Sequence, residues 1–150
     1  MFIFLRLLLA HVLADSLLQP DRMHQLKMTS ILYQMLHATI FILCSLVLLF
    51  PFLNRFDTWA FIFALGLGHF LIDHLKINYS LKHQKRNGRT LLFLDQIAHL
   101  LTIAIIFVTP LKNLSYHSKI YGNDLIIVGI IFLIALIYLI MNRAKRVHAR

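Results

Sequence analysis

The sequence predicts an all-α integral membrane bundle of five transmembrane helices, arranged as two repeated hairpins plus one further helix. Three observations support this fold class. Hydrophobic residues make up 59% of the 150 residues, charged residues only 14%, and the mean hydropathy is +0.75, which is too apolar for a soluble domain of this length. The apolar residues form runs of about 20, the length that a helix needs to cross a bilayer. Short polar motifs also recur at matched places within these runs.

Five runs meet or approach the spanning length, and connectors rich in charge or containing proline separate them. The predicted spans are residues 2–19, 31–53, 59–75, 91–111 and 125–141. Together they predict a single membrane domain over residues 1–150.

The distribution of basic residues predicts the orientation of these spans. The net charge is +9, and most lysines and arginines lie in the first and third connectors and in the C-terminal tail. Because basic residues concentrate on the cytoplasmic side of membrane proteins, we expect the N-terminus outside and the C-terminus in the cytoplasm of a cell inner membrane. The expected partners are the bilayer and its anionic headgroups on the cytoplasmic side. The sequence contains no basic helix and no basic patch with interleaved aromatic residues, the features that would indicate nucleic-acid binding. It leaves the oligomeric state open.

An internal repeat relates the first four predicted spans. "AHVLADSLL" at 10–18 matches "GHFLIDHLK" at 68–76, and "LYQMLH" at 32–37 matches "LDQIAH" at 94–99. Residues 1–53 and 59–111 therefore form two predicted copies of one hairpin, with a pseudo-two-fold axis along the membrane normal. The span 125–141 and its basic tail have no counterpart.

The repeated motifs place ionisable side chains at one depth of the bundle. Histidine and aspartate are four residues apart in three spans, so each pair shares one helix face. The order reverses in the span that runs in the opposite direction, which brings like residues to like depth. The candidate metal ligands are His11, His37, His69 and His99, and the candidate catalytic carboxylates are Asp15, Asp73 and Asp95. Ionisable residues inside membrane spans are rare and tend to mark function.

Three interpretations of these residues remain open. Neutral imidazoles and carboxylates suit a divalent metal such as Zn, Fe or Mn, and a metal would offset the cost of burying several carboxylates. Alternatively, each aspartate accepts a hydrogen bond from a histidine, and the groups form a polar lock between helices. A third interpretation is a proton or cation relay, as in transporters. The single cysteine, Cys44, and the absence of glutamate leave histidine and aspartate as the ligand set.

Other polar and small residues support this region in the prediction. Gln34 and Gln96 each precede a cluster histidine by three residues and could orient a ligand, although interhelical hydrogen bonding explains them equally well. His74 points about 100° away from Asp73 on the same helix and is expected to be interfacial. Gly66 and Gly68 are expected to let their helix approach a neighbour closely.

Several ordered segments resemble a known family. "LLLAHVLADSLLQPDRM", Lys27, His37, "GHFLIDHLK" and "LDQIAHLL" are similar to the bacterial membrane-protein family with domain of unknown function 3307, over most of residues 1–105. Ser16 departs from this pattern, where an aromatic residue is expected. The resemblance implies a small multi-pass inner-membrane protein and supplies no activity.

The sequence therefore indicates a divalent-metal-binding membrane protein, with a metal-dependent hydrolase as the most specific form of this hypothesis. In that form the histidines and part of the aspartates hold the metal, and a remaining aspartate is the general base. A likeness to membrane-bound metal-dependent hydrolases with His-x-x-x-Asp helices rests on spacing alone. The competing hypotheses are a proton-coupled or ion-coupled transporter and a non-catalytic subunit with a polar lock.

Overall fold

A computed structural model describes residues 2–19, 21–83 and 88–109 of the chain. These residues form helices and no strand. The α-helices are α1 (Phe2–Val12), α2 (Asp21–Thr29), α3 (Ile31–Leu48), α4 (Phe56–Lys82) and α5 (Gly88–Ala104). A π-helical turn, Leu13–Leu17, continues α1 and is called the π-turn. Short 3-10 turns follow α3 (Phe50–Phe52) and α5 (Ile105–Val108). The all-helical prediction is confirmed for these residues, whereas the predicted span 125–141 and the basic tail lie outside them.

Three helical segments are long and apolar enough to cross a membrane. They are α3, α4 and the stretch Thr90–Val108, which correspond to the second, third and fourth predicted spans. The first predicted span is divided, because α1 has 11 residues and the π-turn has five. A membrane crossing by this segment therefore stays a prediction, as do the five-span count and the internal repeat.

Among the differences from the predicted element boundaries, those at α4 and α2 affect the polar residues of the bundle. The helix α4 continues seven residues past the predicted end at 75, because Ile77 is buried and the charged Lys76 finds a carboxylate partner on α5. The polar connector after the first span contains the helix α2. Met23 and Lys27 of α2 are four residues apart and therefore share a face, and both side chains are buried.

The buried face of each main helix changes from apolar to polar along its length. On α4, Ile62 and Leu65 are followed by His69 and Asp73 on the same buried stripe. Apolar side chains of α1, α3, α4 and α5 fill one end of the interior; the buried members are Ile3, Leu7, Ala10, Ala14, Phe41, Leu49, Phe52, Ile62, Leu65, Ile103 and Ile106. The polar parts of the same stripes converge at the other end.

Close contact between α3 and α4 depends on Gly66. A Cβ atom at this position would collide with the side chain of Ile42 on α3, so the predicted close approach is confirmed here. A Cβ at Gly68 would lie 3.9 Å from Cγ2 of Thr102, an ordinary contact distance. Gly66 therefore sets the helix separation that brings the polar side chains of α3 and α4 together.

Candidate metal centre

The polar end of the bundle contains a cluster of four histidines and three aspartates. It consists of His11 of α1, Asp15 of the π-turn, His37 of α3, His69 and Asp73 of α4, and Asp95 and His99 of α5. All seven except Asp15 are at most 5% exposed. The structure thus brings together every residue that the sequence analysis assigned as a ligand or catalytic carboxylate. Facing helices of a bundle commonly build metal sites in this way.

His69 lies at the centre of the imidazoles. Its ring centroid is 4.3 Å from that of His99, 5.0 Å from that of His37 and 5.4 Å from that of His11. Phe41 stacks on the His69 ring at 4.7 Å, with an interplanar angle of 12°. This phenylalanine separates the imidazoles from the apolar core.

Three overlapping groups in the cluster have the spacing of a metal site. Each residue of a group offers one ligand atom, and the ligand atoms of that group all lie within 4.8 Å of one another. The first group is His11, His69 and His99, the second is Asp15, His37 and His69, and the third is Asp73, Asp95 and His99. The four histidines converge but do not all belong to one such group. The arrangement therefore offers alternative three-ligand sets around His69 and His99.

Two of the three carboxylates already have lysine partners. Lys27 Nζ lies 2.5 Å from Asp73 Oδ2, and Lys76 Nζ lies 2.6 Å from Asp95 Oδ2. In the sequence, both lysines belong to the basic connectors that indicate the cytoplasmic side, and Lys27 is also part of the pattern that resembles the family. The position of Lys76 three residues after Asp73 placed it near the carboxylates, but no sequence signal predicted that α2 would bury Lys27.

Asp15 has a different environment. Its carboxylate contacts come from histidines, with His37 Nε2 at 3.0 Å, His69 Nε2 at 3.6 Å and His11 Nε2 at 3.8 Å. Its side chain is 19% exposed. The π-turn positions it, since the Leu18 amide donates to the Leu13 carbonyl over five residues, and such π-turns occur often at functional sites.

Several buried polar atoms of the cluster have no hydrogen-bond partner among the described residues. They include both ring nitrogens of His99, Nε2 of His69 and Oδ1 of Asp95. A buried polar atom without a partner is costly, and most such atoms in native proteins are satisfied. Imidazole nitrogens and carboxylate oxygens are also metal ligands, so these atoms have the chemistry to hold a cation.

The two glutamines make different contacts. Gln96 Oε1 lies 3.4 Å from His11 Nε2, and Gln96 Nε2 lies 3.5 Å from Asp95 Oδ2. Gln34 instead donates to the Lys27 carbonyl at 2.9 Å and contacts His74 Nδ1 at 2.8 Å. His74 thus belongs to a network beside the cluster, and Gln34 holds the backbone that carries Lys27.

The fold and site define a class: an all-helical protein with candidate membrane-spanning helices and a buried His/Asp cluster. Within it, the chain belongs to the family described as protein of unknown function DUF3307, whose model matches residues 3–127. The family resemblance is confirmed, and the match extends past residue 105. No curated protein and no solved structure matches the chain significantly.

Proposed function

We propose that this chain is an integral membrane protein that binds a divalent cation within its His/Asp cluster. Three segments have the length and hydropathy of membrane spans, and Arg6, in the first predicted span, donates to the Leu48 carbonyl at 2.6 Å. An internally bonded arginine is compatible with burial in a membrane. The basic connectors support an inner-membrane location with the N-terminus outside, the C-terminus cytoplasmic and contacts to anionic headgroups.

The charges of the cluster indicate where the cation binds. Asp73 and Asp95 are neutralised by Lys27 and Lys76, whereas the described ion contacts of Asp15 are all with histidines. With the imidazoles neutral, Asp15 carries a partly buried negative charge that has no lysine or arginine partner in the described part of the chain. A buried charge of this kind is costly unless it is paired. The observation that carries the proposal is therefore Asp15 within ligand spacing of His37 and His69.

The donor set limits the identity of the cation. Two imidazoles and one carboxylate suit Zn, Fe or Mn better than Ca or Mg, which prefer oxygen ligands. The buried group His11, His69 and His99 is a second set of the same kind, and it shares His69 with the first.

The most specific form of the proposal is a metal-dependent hydrolase. The metal would supply an activated water, as zinc does in hydrolytic sites with three protein ligands. Asp95 pairs with Lys76 through Oδ2, but its Oδ1 has no hydrogen-bond partner among the described residues, so Oδ1 is the carboxylate oxygen that we assign as the proton acceptor. Asp73 is held by Lys27, so we assign it the role of orienting that lysine.

The apolar core argues against a relay that crosses the membrane through the described helices. Phe41 stacks on His69 and meets His11 edge-on at 6.3 Å. Beyond it, the buried polar side chains of the described ranges are Ser45, which donates to the Phe41 carbonyl, and Thr58. A proton path needs a continuous chain of polar groups, so the cluster is better suited to a site that is accessible from one side.

Elemental analysis of detergent-purified protein tests the proposal. We expect about one Zn, Fe or Mn per chain in the wild type and loss of that metal in His69→Ala. The matched control is His83→Ala, because His83 is exposed and lies outside the cluster. Circular dichroism and size-exclusion profiles establish that each variant folds, and His37→Asn provides a second, smaller perturbation.

The outcomes separate the three hypotheses. If the wild-type protein binds no stoichiometric metal after incubation with each of the three cations, the metal-site hypothesis is overturned. The polar-lock hypothesis would then remain. Metal-free protein that conducts protons in liposomes would instead establish the relay.

A further inference from the structure

Two of the three-ligand groups share His69 and differ in burial and charge. The group Asp15, His37 and His69, called the outer position, contains one carboxylate, whose side chain is 19% exposed. The group His11, His69 and His99, called the inner position, contains only imidazoles, and each of these residues is at most 4% exposed. A neutral imidazole has one acceptor nitrogen, so His69 can serve one position at a time.

The inner position has unpartnered atoms that a cation at the outer position would not satisfy. Both ring nitrogens of His99 and Nδ1 of His11 are buried and have no hydrogen-bond partner among the described residues. Native proteins generally avoid the cost of such atoms. A cation at the inner position would satisfy one nitrogen of each histidine, and three histidines are a ligand set of catalytic zinc sites.

The third group with ligand spacing is less suited to a cation. Its two carboxylates, Asp73 and Asp95, have lysine ammonium groups at 2.5 Å and 2.6 Å. These ammonium groups already neutralise the carboxylates, and their positive charge would repel a divalent cation nearby. The inner position is therefore the better candidate for a second location of the cation.

Asp15 contacts both positions. Its Oδ1 lies 3.6 Å from His69 Nε2, and its Oδ2 lies 3.8 Å from His11 Nε2. It is also the one member of the described ligand groups that is not buried. Phe41 closes the opposite, apolar side, where it stacks on His69 and meets His11 edge-on. A cation that arrives at Asp15 is therefore already next to histidines of both positions.

We propose that one cation exchanges between the two positions, entering at the outer position through Asp15 and reaching the inner position through His69. The inference rests on the proposed metal site and adds His11 and His99 as ligands of a second location. The outer position binds more strongly, because the Asp15 carboxylate and the cation compensate each other's charge.

The inner position is the one beside the proposed proton acceptor. A carboxylate oxygen of Asp95 lies within 4.8 Å of a ring nitrogen of His99, whereas Asp95 belongs to no group with His37. The outer position therefore loads the cation, and the inner position brings it to the carboxylate that we assign as the base.

Zinc affinities of single and double variants test the two positions. His99→Gln is made in the wild type and in Asp15→Asn, and competition with a fluorescent zinc chelator measures each affinity. In the wild type the outer position stays intact, so we expect His99→Gln to lower affinity by about twofold at most. In Asp15→Asn the cation depends on the inner position, so the same change should lower affinity by about tenfold or more.

A matched variant removes a ligand of the outer position alone. In the Asp15→Asn protein, His37→Asn should change zinc affinity by about twofold at most, because His37 does not belong to the inner position. His83→Gln, at an exposed residue outside the cluster, controls for the loss of a histidine. Circular dichroism establishes that each variant folds, and His11→Gln repeats the test at a different inner ligand.

The absorption spectrum of Co²⁺-loaded protein provides a second measurement, since its ligand-field bands depend on the ligands. In Asp15→Asn, we expect His99→Gln to change these bands and His37→Asn to leave them unchanged.

The outcomes separate this inference from the proposed metal site. An equal effect of His99→Gln in both backgrounds would overturn the second position. Residual zinc in Asp15→Asn that depends on His37 and not on His99 would also overturn it, and would retain the outer metal site. Wild-type protein that binds no zinc would overturn the proposed metal site itself.

Discussion

The two His-x-x-x-Asp segments of the chain have the same spacing but different surroundings. In both His11–Asp15 and His69–Asp73, the histidine Nε2 lies 3.8 Å from the aspartate Oδ2. Asp73 lies in a continuous α-helix, its side chain is 5% exposed, and Lys27 neutralises it. Asp15 lies in the π-turn, its side chain is 19% exposed, and its described ion contacts are with histidines. The same motif therefore contains a buried ion pair in one segment and, in the other, a carboxylate whose described partners are all histidines.

The connection after the first segment creates this difference. The helix α2 carries Lys27 back across the bundle to the aspartate of the other segment, which is 46 residues away in sequence. The partner of Asp73 therefore comes from the first half of the chain, whereas the ion contacts of Asp15 within the described residues are with histidines. For this reason Asp15 is the carboxylate to which we assign the proposed cation.

Removing the ion pair between Lys27 and Asp73 should have the largest effect on stability. Lys27→Met leaves Asp73 buried without its counter-ion, so we expect a loss of about 3–5 kcal/mol in the free energy of unfolding. Thermal unfolding in detergent, followed by circular dichroism, measures this. Lys82→Met is the control, because Lys82 lies at the exposed end of the same helix as Asp73.

A double variant distinguishes a structural ion pair from a metal ligand. If the role of Asp73 is only to pair with Lys27, the double variant Lys27→Met/Asp73→Leu should recover most of the stability lost in Lys27→Met, because an apolar pair can replace a buried ion pair. Metal content should also be retained. Loss of metal in this double variant would show that Asp73 is a ligand.

The variant Asp15→Asn tests whether the Asp15 carboxylate contributes to zinc affinity. Removing the negative charge should lower zinc affinity by about 100-fold, which is about 2.7 kcal/mol, and leave thermal stability unchanged or higher because a partly buried charge is removed. Competition with a fluorescent zinc chelator measures the affinity. Asp57→Asn is the control, since Asp57 pairs with Arg55 far from the cluster. Unchanged zinc affinity in Asp15→Asn would refute the assignment of this carboxylate.

The smallest effect is expected from the network that supports Lys27. Gln34→Leu removes the donor to the Lys27 carbonyl and should cost about 1–2 kcal/mol of stability, the value of one or two hydrogen bonds. Zinc affinity should stay within about twofold of wild type, because the described side-chain contacts of Gln34 are with the Lys27 carbonyl and His74 and not with the ligand groups. Gln25→Leu, at an exposed position of α2, is the control. A large loss of zinc in Gln34→Leu would place this glutamine at the metal site instead.

Residue spacing was sufficient to predict which side chains converge. His69 and Asp73 share a face because four residues make about one helical turn, and the same rule applied to His11, Asp95 and His99. Helix boundaries were less predictable. The charge at Lys76 suggested the end of a span, but its pairing with Asp95 lets α4 continue to Lys82.

The sequence alone therefore determined the helical class, the candidate spans and the membership of the polar cluster, because these depend on hydropathy and on periodicity along the chain. The packing of the helices determines which carboxylates pair with lysines and leaves the side chain of Asp15 more exposed than those of Asp73 and Asp95. Lys27 reaches Asp73 across 46 residues of sequence, and the π-turn displaces Asp15 from regular helical geometry. Such pairings depend on how helices pack against one another, and local patterns do not encode them.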